Sequence, residues 1–521
     1  MKLLLALLAY VLSQDDGSVV LPGNDLLNHR DFTSSITTQN VAQLRVKWQA
    51  NSCPGNNQGG ATSTPLVYRD RVCSSDFVGC ITCWLRSNGS VVWQKTMVDY
   101  GFPAGYFARP MPIYRAGVMY LGSSNYQSVL FPGVPGVGTS LLAINFDDGA
   151  LLWKSQLSSD LFSVVTGSPV LEGNRIYLGL SSSESAAPLV IPGYVCCEGS
   201  GRILAVDANN GAILWNTPTI PDDLRGVGKY SGGAVWLSNM PIQGNSLYAG
   251  SGQMYQVPPD VNTCFTNNPL NGSCADRRVL FDSVIKLNKN TGEIQASVRL
   301  SAADTWNIAC AIPGLPGCQT GPAHDFDITN IMLSTQGPKR VYASSKSGFF
   351  WSLDENLNII KSQSLIPGSY NDGGFEWMQA MRDAPHFSDR QLYLANNNGG
   401  RYNWTLPDGT PVTTGAGAWI RFDGNLTIKW VTVPPNLDSP YGSPALTNDV
   451  VFGSTRYLGL LVALNKDNGQ IVWSYQTSGS VSGSPAIVGN EVYWPAGPGT
   501  NFGPPTVGQT AFYVFEIPSD Q

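Results

Sequence analysis

A chain of 521 residues is long for one hydrophobic core, and its 56 Gly, 35 Pro, 14 Trp and 21 Tyr against 13% charged residues describe tight turns and large apolar anchors. That mix argues against long helices and for many short strands, and only a repeat architecture escapes the usual limit of roughly 250–300 residues per core. The formal net charge of −6, with no Lys/Arg cluster beyond Arg277-Arg278, argues against a nucleic-acid partner. In chain order, Met1-Lys2, the apolar run Leu3 to Leu12 and Ser13-Gln14 precede the acidic pair Asp15-Asp16. This reads as a signal peptide over residues 1–14 and predicts a secreted, extracellular protein. The run is shorter than the roughly 20 apolar residues of a membrane span, and no later stretch reaches that length.

Residues 15–521 read as a single domain built from one repeated phrase: small and aliphatic residues, an acidic or amide turn, Gly, then an apolar strand ending in Trp. Cys80-ITCWLRSNGSVV-Trp93 is a weak copy. Leu142-AINFDDGALL-Trp153 and Leu204-AVDANNGAIL-Trp215 are strong ones. Ile285-KLNKNTGEI, Phe350-WSLDENLNII-Lys361 and Ala418-WIRFDGNLTIK-Trp430 drift, Val462-ALNKDNGQIV-Trp473 is strong again, and Ala511-FYVFEI is an eighth. A small-residue run reaching Pro precedes most copies, at Pro65, Pro112, Pro169, Pro241, Pro444 and Pro485; segments near Ile331 and Gln379 take that place in the other two. Alternating strands with Asn-Gly or Asp-Gly turns are hairpins. Eight such units cannot bury both faces unless they stack radially, so the predicted fold is an all-β, eight-bladed β-propeller. The last unit lacks its Trp-terminated strand, while Leu44-RVK-Trp48 is such a strand with no unit before it. That strand is expected to complete the last blade and close the ring.

Ten cysteines in an exported chain favour disulfides. Cys264/Cys274 and Cys310/Cys318 each close a short loop. Cys80 and Cys83, three apart on a strand, face opposite ways; they are expected to pair with Cys53 and Cys73, in either order. Sequons at Asn88, Asn271, Asn403 and Asn425 predict N-glycosylation in a secretory pathway.

The A-x-D-x-x-T-G-x-x-x-W phrase resembles the tryptophan-docking motif of the pyrroloquinoline quinone (PQQ)-dependent dehydrogenases, over nearly the whole mature chain. The polyvinyl-alcohol-dehydrogenase-like branch is the nearest match, through Gly23-NDLLNHRDF, Cys196-Cys197-EGSGRILAVD, Gly232-Gly233-AVW and Gly373-Gly374-FEW. A flat quinone needs stacking partners, cations or hydroxyls for its carboxylates, hard oxygen ligands for its metal, and a base. The resemblance implies Trp236 on one face of PQQ and Cys196 and Cys197, bonded to each other, on the other. It implies Arg109, Thr166 and Lys346 as cofactor-binding residues, and Glu184 and Asp325 as calcium ligands, with Asp325 also the catalytic base. The third ligand in that family is an Asn in Gly-x-Gly-Asn; here Gly250-SG-Gln253 puts the longer Gln253 in its place. Asp327 shares a face with Asp325 in an extended segment and is the alternative base, whereas His324 points away.

The implied activity is a secreted quinoprotein dehydrogenase that oxidises an alcohol, polymeric or sugar-like among the options, by hydride transfer to PQQ with calcium. No C-x-x-C-H motif is present, so the electron acceptor is external. The expected protein is monomeric. A cofactor-less binding or matrix module, favoured by Gln253 and the weak first and fifth repeats, and a carbohydrate-binding propeller are the competing readings.

Overall fold

Short alternating strands separated by glycine turns fold into eight antiparallel sheets. The computed structural model describes residues 18–53, 60–61, 63–125, 137–191, 193–194, 196–236, 239–312, 314–321, 327–368, 373–497 and 512–518. The expected signal peptide, residues 1–14, lies outside them, as do His324 and Asp325. Blade 1 runs Leu66–Tyr68, Arg71–Ser75, Cys80–Leu85 and Val91–Thr96. Blades 2 to 7 occupy residues 113–158, 170–218, 242–299, 328–364, 380–432 and 440–476. Blade 8 is Ala486–Val488, Glu491–Pro495, Phe512–Glu516 and, outermost, Arg45–Ala50. The molecule is an eight-bladed β-propeller. Arg45 pairs with Glu516, Trp48 with Val514 and Ala50 with Phe512, so the early strand closes the ring as its sequence predicts. Lys47 locks the seam through Glu491 at 2.5 Å and Glu516 at 3.6 Å.

The repeated Trp and Gly have one physical function between them. Four outer-strand indoles lie on the third-to-fourth-strand turn of the next blade and donate to a backbone carbonyl there. Trp48 donates to Arg86 O, Trp93 to Phe146 O, Trp215 to Lys289 O and Trp430 to Lys466 O, at 2.9–3.1 Å. The glycine beneath has positive φ, +74° at both Gly89 and Gly149, and a Cβ on Gly149 would stand 2.7 Å from the Trp93 ring. Glycine is thus required twice, for the backbone and for the indole's room. Ala296 and Lys361 stand in the register position of the missing tryptophans. At these two joints a lysine spans the gap: Lys286 Nζ reaches Glu355 O at 3.0 Å, and Lys361 Nζ reaches Asn425 O at 2.9 Å.

One end of the ring is closed by the segment that precedes Arg45. Val19 pairs with Val67 of blade 1, and Val20 O, Leu26 O, Leu27 O and His29 O accept from Tyr114, Ile242, Leu333 and Met381 of blades 2, 4, 5 and 6. Phe32 and Arg30 bond Leu446 of blade 7, and Ser34 bonds Gly489 of blade 8. At the centre Arg30 is fully buried and donates to Pro22 O, Thr64 Oγ1, Pro444 O and Pro485 O at 2.7–2.9 Å. Burial pushes its guanidinium down to about 9, still charged at neutral pH. All ten cysteines are paired. Cys264–Cys274 and Cys310–Cys318 match expectation, and the open order resolves as Cys53–Cys80 and Cys73–Cys83. Cys73 and Cys83 are cross-strand partners, which dictates that choice.

Gly149→Ala should therefore destabilise by about 2–4 kcal/mol, because strain and a clash with Trp93 add. Gly173→Ala, at φ +60° with open space around it, should cost only about 1 kcal/mol; equal melting-temperature losses for the two would refute indole docking as the reason for the glycine. A second expectation concerns pH. Burial opposes the charge on His29, but Asp25 at 2.7 Å and Leu333 O outweigh it and raise the pKa to about 9. A folded value above the unfolded one contributes stability in full below pH 6.5 or so, lost as pH rises through about 9. His29→Gln should flatten thermal stability across that window.

Candidate functional site

In antiparallel blades, the links between blades and the second-to-third-strand loops emerge at one end of the ring. The other turns emerge at the opposite end, which the 18–40 segment closes. Glu184, Cys196, Cys197, Gln253 and Lys346 lie in second-to-third-strand loops of blades 3, 4 and 5, while Arg109, Thr166 and Trp236 lie in links between blades. All eight belong to the open end. Asp325 lies outside the described residues, and Asp327, two residues on, opens blade 5 at the same end.

Three short segments build the floor edge to edge. Gly232 N donates to Gly199 O at 2.9 Å, Gly233 N to Gln253 O at 2.8 Å and Gly252 N to Ala234 O at 2.8 Å. Cys196 and Cys197 form a disulfide across a cis peptide. Cys197, Ala234 and Tyr255 form a small buried cluster, with the disulfide's other half, Cys196, and the partly buried Trp236 packed against it. The Thr166 hydroxyl donates to Trp236 O, so Thr166 positions Trp236 through its backbone.

The charged groups are buried. Glu184 is 2% exposed and accepts from Tyr194 Oη at 2.6 Å, Glu198 N at 2.9 Å and Gly199 N at 2.6 Å. Burial raises its pKa, against the downward pull of those donors. A cation on Glu184 would compete with Tyr194. Asp327 pairs with Lys346 at 3.2 Å, and its Oδ1 occupies the space that a Cβ on Gly252 would take. Gln253, 2% exposed, has an Oε1 with no hydrogen-bond partner. Arg109, 8% exposed, lies 5.3 Å from the Trp377 ring with its Nε unpartnered. It lines a cavity of about 30 Å³ on the axis with Thr166, Ser168, Asn239, Trp377, Ser443 and others, enough for roughly two waters. A buried acceptor without a donor and a buried cationic N–H without an acceptor are each costly unless a ligand completes them. The residues fit a flat, multiply anionic cofactor with a hard cation. Sequence reasoning assigned no role to Tyr194, Gly252 or Trp377; Trp377 stands in the Gly373-Gly374-FEW stretch that carried the resemblance.

Comparison with known proteins agrees. A family model for PQQ-type repeats, described as outer membrane protein assembly factor BamB, matches residues 33–295 and 388–501. Polyvinylalcohol dehydrogenase of Sphingopyxis sp. (strain 113P3) is 24% identical over 467 residues, covering 85% of this chain and 64% of that protein. The chain belongs to the PQQ-dependent alcohol dehydrogenase-like β-propellers. It spans just under two thirds of the length of the polyvinylalcohol dehydrogenases it matches. Among solved structures, a europium-containing methanol dehydrogenase superposes with a TM-score of 0.68 at 16% identity, over 96% of this chain and 98% of that one. The quinohemoprotein alcohol dehydrogenase of Comamonas testosteroni gives 0.66 at 17% identity, over 96% and 80%. These likenesses establish the propeller fold.

For this PQQ-type propeller, the orphaned Gln253 Oε1 yields an expectation that needs no activity. Gln253→Leu should raise the melting temperature in chelator by removing an unsatisfied acceptor, a gain of about 1–3 kcal/mol. It should also abolish any further rise on adding calcium. A variant that keeps the calcium response removes Gln253 from the metal set.

Proposed function

We propose that this protein oxidises an alcohol with PQQ and a hard cation, calcium or a lanthanide, at the open mouth of the ring. What supports the reading is two buried polar groups without a partner among the described residues, Arg109 Nε on the axial cavity and Gln253 Oε1 in a blade 4 loop, together with the cluster in which Trp236 packs with the Cys196–Cys197 disulfide. Family membership and the names of the curated relatives, polyvinylalcohol and quinohemoprotein alcohol dehydrogenases among them, support it.

In this reading Trp236 and the disulfide flank the flat ring, while Arg109 and Lys346 supply cationic donors to its oxygens. Glu184, Gln253 and Asp327 would hold the cation; the sequence reading gives Asp325 as the ligand in that set, with Asp327 as the alternative base only. When bound, the cofactor and its metal supply a two-electron acceptor polarised by a Lewis acid. Asp325, the base that the resemblance implies, would take the substrate hydroxyl proton. Asp327, paired with Lys346, carries charge and positions the cation. Reoxidation is assigned to an external acceptor. The five disulfides support export to an oxidising compartment, and among the described residues no helix is long and apolar enough to cross a membrane.

Titrating purified protein with PQQ and calcium, or with a lanthanide, should shift quinone absorbance and raise the melting temperature. With an artificial acceptor, Asp325→Asn should lower alcohol oxidation by roughly 10²–10⁴-fold while quinone binding persists, whereas Trp236→Ala should weaken binding itself. No quinone binding under any cation would leave the binding-module reading in its place.

A further inference from the structure

The axial cavity that Arg109 lines is walled by residues from blades 1, 2, 3, 4, 6, 7 and 8, and no Asp or Glu is among them. Its polar side chains already use their oxygens as acceptors. Thr64 Oγ1 accepts from Arg30 Nη1 at 2.9 Å, Ser168 Oγ from Met111 N at 3.0 Å and Ser484 Oγ from Ser443 N at 2.8 Å. The Asn239 amide oxygen accepts from Ser168 N at 3.2 Å. Among the described residues none of the three hydroxyls donates, so each keeps its proton for the cavity. Ser63 Oγ and Arg109 Nε are buried there with no hydrogen-bond partner at all.

The charge is as one-sided as the hydrogen bonding. Arg109 makes no ion pair with any described residue, and its guanidinium rests on the Trp377 ring. Arg30, fully buried, stands one hydrogen bond behind Thr64, and burial lowers its pKa with no carboxylate opposing the shift. Its N–H groups are satisfied, but by neutral oxygens, so its charge is not cancelled. Two buried cations without a counterion are costly. A water molecule has to donate two protons as well as accept, whereas an anion only accepts. A donor-lined cavity beside two uncompensated guanidinium groups therefore favours an anion over water. Size restricts the choice. A volume of about 30 Å³, room for roughly two waters, admits a monatomic halide and excludes sulfate, phosphate or the ring system of a quinone.

We propose that the axial cavity binds a chloride ion, held by the Arg109 guanidinium and by hydroxyls of Ser63, Thr64, Ser168 and Ser484. The ion offsets the buried positive charge at the hub and draws together the inner ends of blades 1, 2, 3 and 8. The inference does not rest on quinone binding, because this chain alone forms the site.

The test uses full-length protein without quinone, dialysed into sodium gluconate, whose anion is too large for the cavity. Chloride or bromide is then titrated in at constant ionic strength while the melting temperature is followed. The rise should saturate as mass action at one site requires, and sulfate should give no such saturation. Ser63→Ala removes a hydroxyl that has no partner in the protein, so it should leave the melting temperature in gluconate unchanged and weaken halide affinity roughly threefold to tenfold. Arg109→Gln should abolish the halide response. Crystals grown in bromide should show an anomalous peak in the axial cavity. A rise that never saturates or that sulfate reproduces, a response unchanged by both substitutions, or bromide found only on the surface would each overturn the proposal. Failure of quinone binding with an intact halide response would overturn only the enzymatic reading.

Discussion

At five of the eight joints a blade meets the next through an indole laid on a glycine turn, and the geometry of the mouth depends on that joint. An outer-strand tryptophan buries roughly 200 Å² of surface, worth an upper bound of about 5 kcal/mol at about 25 cal/mol per Å². It also sets the rotation between blades, because the indole N–H must find one carbonyl on the neighbour. Repeated around the ring, this brings equivalent loops of different blades to one end. The two joints without tryptophan, from blade 4 to 5 and from blade 5 to 6, flank the blade that contributes Asp327 and Lys346. There Lys286 holds the turn through one hydrogen bond and Lys361 through two, a weaker join beside the candidate site.

The segment from Val19 to Ser34 makes the ring one-ended. Its strand-like bonds to successive blades are local, but Arg30 is a long-range commitment: a buried cation hydrogen-bonded to four oxygens from its own segment and blades 1, 7 and 8. A buried charge is tolerable only when so completely solvated by protein. With that end filled, the candidate residues lie at the opposite end, where individual residues stand in links and second-to-third-strand loops in place of the repeated phrase.

The same accounting of polar groups distinguishes the site from the scaffold. Arg30 satisfies its donors internally, and Glu184 accepts from Tyr194, Glu198 and Gly199. Arg109 Nε and Gln253 Oε1 are also buried but lack partners among the described residues. Burial without partners is unfavourable in the free protein and becomes favourable when a ligand supplies the missing donor or acceptor. In the proposed reading this is preorganisation, and the unpartnered amide oxygen is the ground for keeping Gln253 among the candidate site residues.

The sequence by itself determined the blade count, the closing strand and the two loop disulfides, because these follow from local periodicity: Trp93, Trp153, Trp215 and Trp473 each follow a turn glycine by four residues. Resemblance also named residues whose loops share one end of the ring. Only the tertiary structure decided which contacts those residues make. Cys73 chose Cys83 because they face each other across strands; Thr166 reached Trp236 O, in the next link; Asp327 met Lys346 and the one glycine that admits it; and Gly23-NDLLNHRDF, readable as a family phrase, became the seal of one mouth. These contacts join residues from different blades, and no periodicity along a chain encodes which side chains radial closure will bring together.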